Sequence, residues 1–269
     1  MLRTLEAIRL ETVLVGGRTR PLVVECRTPP SDSEEEPDSD FSDETKLMVV
    51  KAKGLPEVKE QNLFCELVGN VIAREVGIVT PHPAFINLSQ PFVNSINPIV
   101  REHNIQLQTG VGVGCEYLRP LRQIIPTSHF SLEELEQAAL IYGFDLLTQN
   151  SDRRIGKPNS ALHNDQIVAF DFELCFSFLL PIIGQKSPWM VSQHGINSRH
   201  IFRSMLKRTT PDWSPFIEAV RNLAQNRLDV IQGMMPESWQ LWGQQVQEHI
   251  KHVIMNIDQF EIELQRSLL

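Results

Sequence analysis

The chain has 269 residues, 42% of them hydrophobic and 22% charged, which is enough apolar material for a packed core and argues against wholesale disorder. Its formal net charge of −8 is local: residues 29–44, PPSDSEEEPDSDFSDE, hold eight of the 33 acidic side chains and no Lys or Arg, and the rest of the chain balances at 25 acidic and 25 basic residues. A near-neutral body excludes a general nucleic-acid binder, which needs a basic face. Cys26, Cys65, Cys115 and Cys175 are too scattered for a zinc site or a redox pair. The N-terminal MLRTLEAIRLE lacks the apolar centre of a signal peptide, and the longest apolar stretch, residues 174–183, is too short to span a membrane. A cytoplasmic protein without membrane contact is the expectation.

In chain order, residues 12–15 and 22–25 are predicted strands around a turn at Gly16 and Gly17, and residues 47–53 form a third. The acidic segment between the second and third is too poor in apolar residues to offset its own ordering, so a mobile loop is expected. Residues 60–76 carry Leu63, Phe64, Leu67, Val68, Val71 and Ile72 at helical spacing, and Gly77 stops the helix. Residues 84–117 suggest further strands and loops, with a turn at Gly110, Gly112 and Gly114. Ser131 and Glu134 form a capping-box pattern that opens a helix to about Thr148. A polar loop over 149–160, a strand over 167–178 and helices near 198–207, 214–232 and 237–264 follow. Strands with one helix, then helices with a small strand element, predict an α+β chain.

The stretch from Asn150 to Phe176, NSDRRIGKPNSALHNDQIVAFDFELCF, holds the chemistry. If residues 167–178 are a strand, alternation puts Asp171 and Glu173 on one face and Phe170, Phe172 and Leu174 on the other. Buried carboxylates need a partner or a metal, although a half-exposed strand with two solvated acids explains the pattern equally well. The preceding loop offers Asp152, the cations Arg153, Arg154 and Lys157, and Asn159. Phosphoryl transfer needs these types: a carboxylate for the nucleophile's proton, oxygen ligands for magnesium, and cations for phosphate charge. Farther upstream, Glu66 is the lone charge in residues 61–73, set among Asn62, Gly69 and Ala73. Taken alone, the helix reads as amphipathic with a solvent-facing Glu, whereas close approach of another element at these small residues would call for a cationic partner. Lys51 and Lys53 share a strand face, so alternation cannot choose between them. Asp145, alone in the uncharged run 138–149, is expected to anchor the loop that follows.

GGRTRP at 16–21, VVK at 49–51, CELVGNVIAREVGIVTPHP from Cys65, FDLLTQNSDRR at 144–154, KPNSAL at 157–162 and AFDFELCF at 169–176 together resemble the HipA-like kinases, relatives of protein and phosphatidylinositol kinases. The last two segments carry the specificity. The resemblance implies a two-lobed protein-kinase-like fold, with a sheet-rich N-lobe over residues 1–117 and a mainly helical C-lobe over 118–269. It implies ATP and Mg2+ as cofactors. Asp152 is then the catalytic Asp, Asn159 and Asp171 hold magnesium, and Lys51, paired with Glu66, holds ATP phosphates. Lys157, or else Arg153 or Arg154, lies close to the transferred phosphate, and Glu116, Tyr117 and Leu118 form the hinge that meets adenine. Gly16, Gly17, Arg18 and Thr19 form a phosphate turn, which a plain hairpin explains equally well.

Residues 153–158 separate Asp152 from Asn159, six against four in the usual protein-kinase loop. A GxGxxG loop is absent, the metal strand has DFE in place of DFG, and no APE-ended activation segment follows, so activation-loop control is not implied. The implied activity is a Ser/Thr protein kinase. A small-molecule or lipid kinase and a nucleotide-binding pseudokinase module are the alternatives, and the acceptor stays unnamed. Because loop-closure cost grows slowly with length, replacing residues 29–44 by a short Gly/Ser turn should leave ATP affinity in calorimetric titration nearly unchanged. A large loss would show that the segment helps to form the site.

Overall fold

Alternating apolar side chains build the first half of the chain into β1 (Arg3–Val13), β2 (Leu22–Arg27), β3 (Lys46–Lys51), α1 (Glu60–Glu75), β4 (Pro83–Leu88), α2 (Gln90–Val100) and β5 (Gly110–Glu116). The computed structural model describes residues 2–29, 45–180, 187–223 and 227–269. Apart from Pro29, the acidic segment expected to be mobile lies outside them. The five strands close into a barrel in the order β1-β2-β3-β5-β4, with β1 parallel to β4 and every other pair antiparallel. Leu22, Val24, Met48, Val50, Ala84 and Ile86 fill it together with Phe92, Val93 and Ile96 of α2.

Two expectations fail here. The strands expected over 84–117 form as β4 and β5, but the helix α2 stands between them where only strands and loops were predicted. Ser89 caps it, accepting from the Phe92 N–H at 3.4 Å, and Pro91 sits in its first turn, a start signal visible in the sequence. Gly110, Gly112 and Gly114 do not make a turn; they lie in β5, which β3 and β4 flank. A Cβ on Gly112 would stand 2.9 Å from the Lys51 carbonyl oxygen, and one on Gly114 would stand 2.8 Å from Ile86 Cγ1. These glycines let neighbouring strands approach, the other common use of glycine in a strand.

The chain divides into two compact units, one of Met1–Leu67 with Pro81–Leu118 and one of Val68–Thr80 with Arg119–Leu269. The second holds a three-stranded sheet of β6 (Arg122–Gln123), β7 (Ser160–His163) and β8 (Gln166–Ala169), with α3 (Leu132–Leu147) between β6 and β7 in sequence. The predicted capping box forms: Ser131 Oγ accepts from Glu134 N–H at 3.1 Å and Glu134 accepts from Ser131 N–H at 2.7 Å. Gln137 of α3 accepts from the Ile167 N–H at 2.7 Å and so ties the helix to β8. The predicted strand over 167–178 stops at Ala169.

Downstream, the helix near 198–207 shrinks to a 3-10 turn and α4 (Arg203–Leu206), and the next comprises α5 (Ser214–Leu223) and α6 (Arg227–Gly233). The helix expected over 237–264 is a short 3-10 turn followed by α7 (Gln240–Met255) and α8 (Ile257–Ser267). It breaks at Asn256, whose side chain donates to the His252 carbonyl at 2.9 Å and competes with the helix ladder. No helix among the described residues is long and apolar enough to cross a membrane. Gly112→Ala should lower stability by about 1–3 kcal/mol, because backbone must move to admit the Cβ. Gly114→Ala should cost less, since the end of the Ile86 side chain can give way. Thermal melts of the two variants check the order.

Candidate active site

In the barrel unit, β3 ends on Lys51, which is 7% exposed, and its ammonium lies 3.0 Å from Glu66 of α1, itself 6% exposed. Two buried opposite charges answer each other here, where either alone would be costly. Lys53 pairs instead with Glu60 at 3.0 Å near the surface, so tertiary contact makes the choice that alternation left open. The hinge candidates Glu116, Tyr117 and Leu118 are half-buried at the end of this unit. The Glu116 N–H donates to His82 O at 3.0 Å and the Tyr117 N–H to Leu47 O at 2.8 Å. Gly16, Gly17 and Arg18 form an exposed turn between β1 and β2, with Thr19 beside them half-buried. Nothing lies within 4 Å of a Cβ built on either glycine, and the Arg18 guanidinium is 3.9 Å from Glu57.

In the second unit, the C-terminus of α3 delivers the chain into the loop 149–159. Asp145, fully buried on the last turn of α3, accepts from Arg153 Nε at 2.6 Å, Asn150 Nδ2 at 2.8 Å and His200 Nε2 at 2.8 Å. The expectation for Asp145 as a loop anchor matches these bonds. Burial opposes its charge, but the Arg153 guanidinium and His200 hold its carboxyl below the usual carboxylate range. Asn150, also buried, accepts from the Asp152 N–H at 3.1 Å.

Of the three cations expected as alternatives near the transferred phosphate, Arg153, Arg154 and Lys157, the first is ruled out. Its side chain is fully buried, its Nη1 donates to the Asn159 carbonyl, and its guanidinium sits 5.5 Å from the Phe172 ring centre. Its Nη2 is buried without a hydrogen-bond partner among the described residues. A guanidinium neutralised by a buried carboxylate is not available to a phosphate.

Asp152, 6% exposed, accepts from Asn159 Nδ2 at 3.0 Å and from the Lys157 ammonium, which also lies 3.4 Å from Asp171. Four of the sequence-selected residues thus meet in one cluster. Burial works against the Lys157 charge, yet Asp171 and Asp152 together raise its pKa above the ordinary value.

The route to that cluster differs from the predicted one. Past Ala169 the chain turns, with Asp171 at φ 61°, so strand alternation does not set the direction of Asp171 or Glu173. Asn159, at φ 43°, is also left-handed. Asn and Asp tolerate this region better than other side chains, and residues held there cluster at functional sites. The turn is fixed from behind. Phe172 is buried against Phe144 in an edge contact at 5.8 Å, and the Phe176 N–H donates to Thr148 O at 2.6 Å. Gly69 of α1 lets the helix approach Phe172, whose Cβ would be 2.8 Å from a Cβ placed there. Sequence reasoning passed over His200 and Asn150. His200 lies 55 residues from its Asp145 partner, with no motif to announce it.

A buried Lys–Glu pair in a barrel unit and an Asp–Lys–Asn–Asp cluster beside a small sheet are the side-chain sets of a kinase-like protein. The chain belongs to the HipA-like kinase family, whose family model matches residues 39–267. That match takes in Lys51, Glu66, Asp152, Asn159 and Asp171 but not the turn at Gly16–Thr19. A solved structure of a Helicobacter pylori proinflammatory kinase, CtkA, aligns over 100% of this chain and 96% of its own, at 12% sequence identity and a TM-score of 0.47. No curated protein matches the chain.

His249 of α7 closes the back of α3. Its Nε2–H donates to Leu147 O at 2.8 Å, its ring stacks on Phe178 at 3.9 Å, and burial pushes its pKa down to about 4. Burial lowers the pKa of His200 as well, against the pull of Asp145. His249 stays neutral in the folded state to about pH 4, while the unfolded chain takes up protons below about pH 6.5. Stability should therefore fall from pH 7 to pH 5, by about 2 kcal/mol from His249 alone. Urea midpoints at the two pH values check this, and equal midpoints would contradict it.

Proposed function

We propose that this chain is a Mg-ATP-dependent phosphotransferase that modifies a Ser or Thr hydroxyl on a protein. The observation that carries the reading is the cluster of Asp152, Lys157, Asn159 and Asp171. Two carboxylates share one ammonium, with an amide oxygen donor in the same cluster, so the place is already built around a positive charge. Hard oxygen donors suit magnesium, which is typically bound by one or two carboxylates together with substrate phosphates. Asp171 and Asn159 would hold the ion, which supplies neutralising charge to the phosphate oxygens when ATP is bound.

The remaining roles belong to the chain's own side chains. Asp152 orients the acceptor hydroxyl and takes up its proton, with the bond from Asn159 Nδ2 fixing the carboxylate in place. Lys157 stands between Asp152 and Asp171 and offsets charge on the transferred group. Lys51, fixed by Glu66, holds ATP phosphates, and residues 116–118 meet adenine. The choice of a protein hydroxyl over a small-molecule or lipid one rests on the family.

The test is labelled ATP with magnesium and cell lysate, followed by mapping of the phosphorylated sites. Asp152→Ala should keep ATP-dependent thermal stabilisation and lose transfer by about 10²–10⁴-fold. Asp171→Asn should lose magnesium-dependent transfer with the fold intact. Transfer at the wild-type rate in either variant would remove that residue from its role. ATP binding without transfer to any acceptor by wild type would favour a pseudokinase module.

A further inference from the structure

The strap of residues 197–203 runs beside the catalytic loop and is pinned on its far side. Asn197 Nδ2 and Arg203 Nε both donate to Ser267 O at the end of α8, at 3.1 and 3.0 Å. Facing the loop, the Ile201 N–H donates to Arg153 O at 3.2 Å and the Ile155 N–H to Arg199 O at 3.4 Å. His200 sits at the middle of this strap, fully buried, with its ring edge-on to Tyr142 at 4.9 Å.

Its two ring nitrogens have different partners, and these fix the tautomer. The Phe202 backbone N–H donates to Nδ1 at 3.2 Å, so Nδ1 is an acceptor and carries no proton. The ring proton is therefore on Nε2, which donates to Asp145 Oδ2 at 2.8 Å. Asp145 Oδ2 also takes the Arg153 Nε–H, while Oδ1 takes the Asn150 amide. Arg153 then reaches the Asn159 carbonyl, and Asn150 takes the Asp152 N–H. One carboxylate thus sets the orientation of both residues that fix Asp152 and Asn159.

We propose that His200 is a positioning residue: by donating from Nε2 to Asp145 it holds the rotamer of that carboxylate, and through it the catalytic loop that carries Asp152. A neutral His–carboxylate contact supplies direction without adding a second buried charge to the pair Asp145 already makes with Arg153. The proposal rests on the assignment of Asp152 above, and it predicts loop order as well as rate.

Three measurements on the full chain test it. In wild type, ring-nitrogen NMR shifts at pH 7 should show a neutral Nε2–H imidazole for His200; an Nδ1–H tautomer or a charged ring overturns the proposal. His200→Gln keeps an amide donor that reaches Asp145, whereas His200→Asn keeps an acceptor near Phe202 but stops short of Asp145. Hydrogen exchange over residues 149–160 should rise in the Asn variant and stay near wild type in the Gln variant. For transfer, the Asn variant should lose about ten- to a hundredfold in kcat with an unchanged KM for ATP, as expected of a displaced catalytic group, and Gln should restore it.

Wild-type exchange and kcat in the Asn variant, or equal losses in Asn and Gln, overturn the proposal. A parallel shift of kcat, KM and melting temperature would mean a merely structural role and overturns it too. If neither variant folds, the tautomer decides. If wild type transfers no phosphate, the phosphotransferase reading fails on its own, while exchange and tautomer still judge His200.

Discussion

Asp145 and Arg153 form an ion pair with no solvent access to either side chain, and the loop that carries Asp152 is arranged around it. Charges taken out of water must be answered by each other and by hydrogen bonds, and removal of one partner from such a pair typically costs about 3–5 kcal/mol. The chain meets this constraint with donors from the loop itself, Asn150 and Arg153, and with one from a distant strap, His200. Arg153 Nη1 donates to the Asn159 carbonyl and the guanidinium faces Phe172, while Nη2 is left without a hydrogen-bond partner among the described residues. An ion pair of this kind is weak evidence for stability, but it restricts geometry: few other loop conformations would give the Asp145 carboxylate three donors at once.

The barrel unit solves a different problem. A five-stranded barrel has little room inside, and its strands come close where β5 offers glycine in place of a side chain. The approach near Gly112 involves the carbonyl of Lys51, so the packing of β5 and the placement of the lysine are parts of one arrangement. Glu66 then gives the ammonium a buried partner at 3.0 Å. The fixed position of Lys51 thus depends on small residues in one strand and a lone acid in one helix.

The cluster at Asp152 is built from two left-handed residues at the ends of short strands and not from a continuous strand. Asn159 and Asp171 both stand in the left-handed region, and each follows or precedes a short strand of the same small sheet. A continued strand would have directed successive side chains to opposite faces. The turn after Ala169 gives the same separation without a strand, Phe172 going to the core while Asp171 reaches Lys157 at 3.4 Å.

Much of this was legible in the residues themselves. The capping box at Ser131 and Glu134, the helix around Glu66, and the D…KPN loop followed by AFDFE are local signals, because capping, periodicity and short-range side-chain chemistry act within a few residues. They located α1, α3 and the residues that meet at Asp152. The helix α2 was also locally marked, by Ser89 and Pro91, though residues 84–117 read as strands and loops. Tertiary structure alone decided the rest. The resemblance at VVK already points to Lys51 over Lys53 as the partner of Glu66. But that Arg153 is buried and not open to phosphate, that β8 ends before Asp171, and that His200 joins Asp145 across 55 residues all depend on which groups must be satisfied once water is removed. Local pattern carries no information about that accounting, because the partners come from elements far apart in the chain and are chosen by burial.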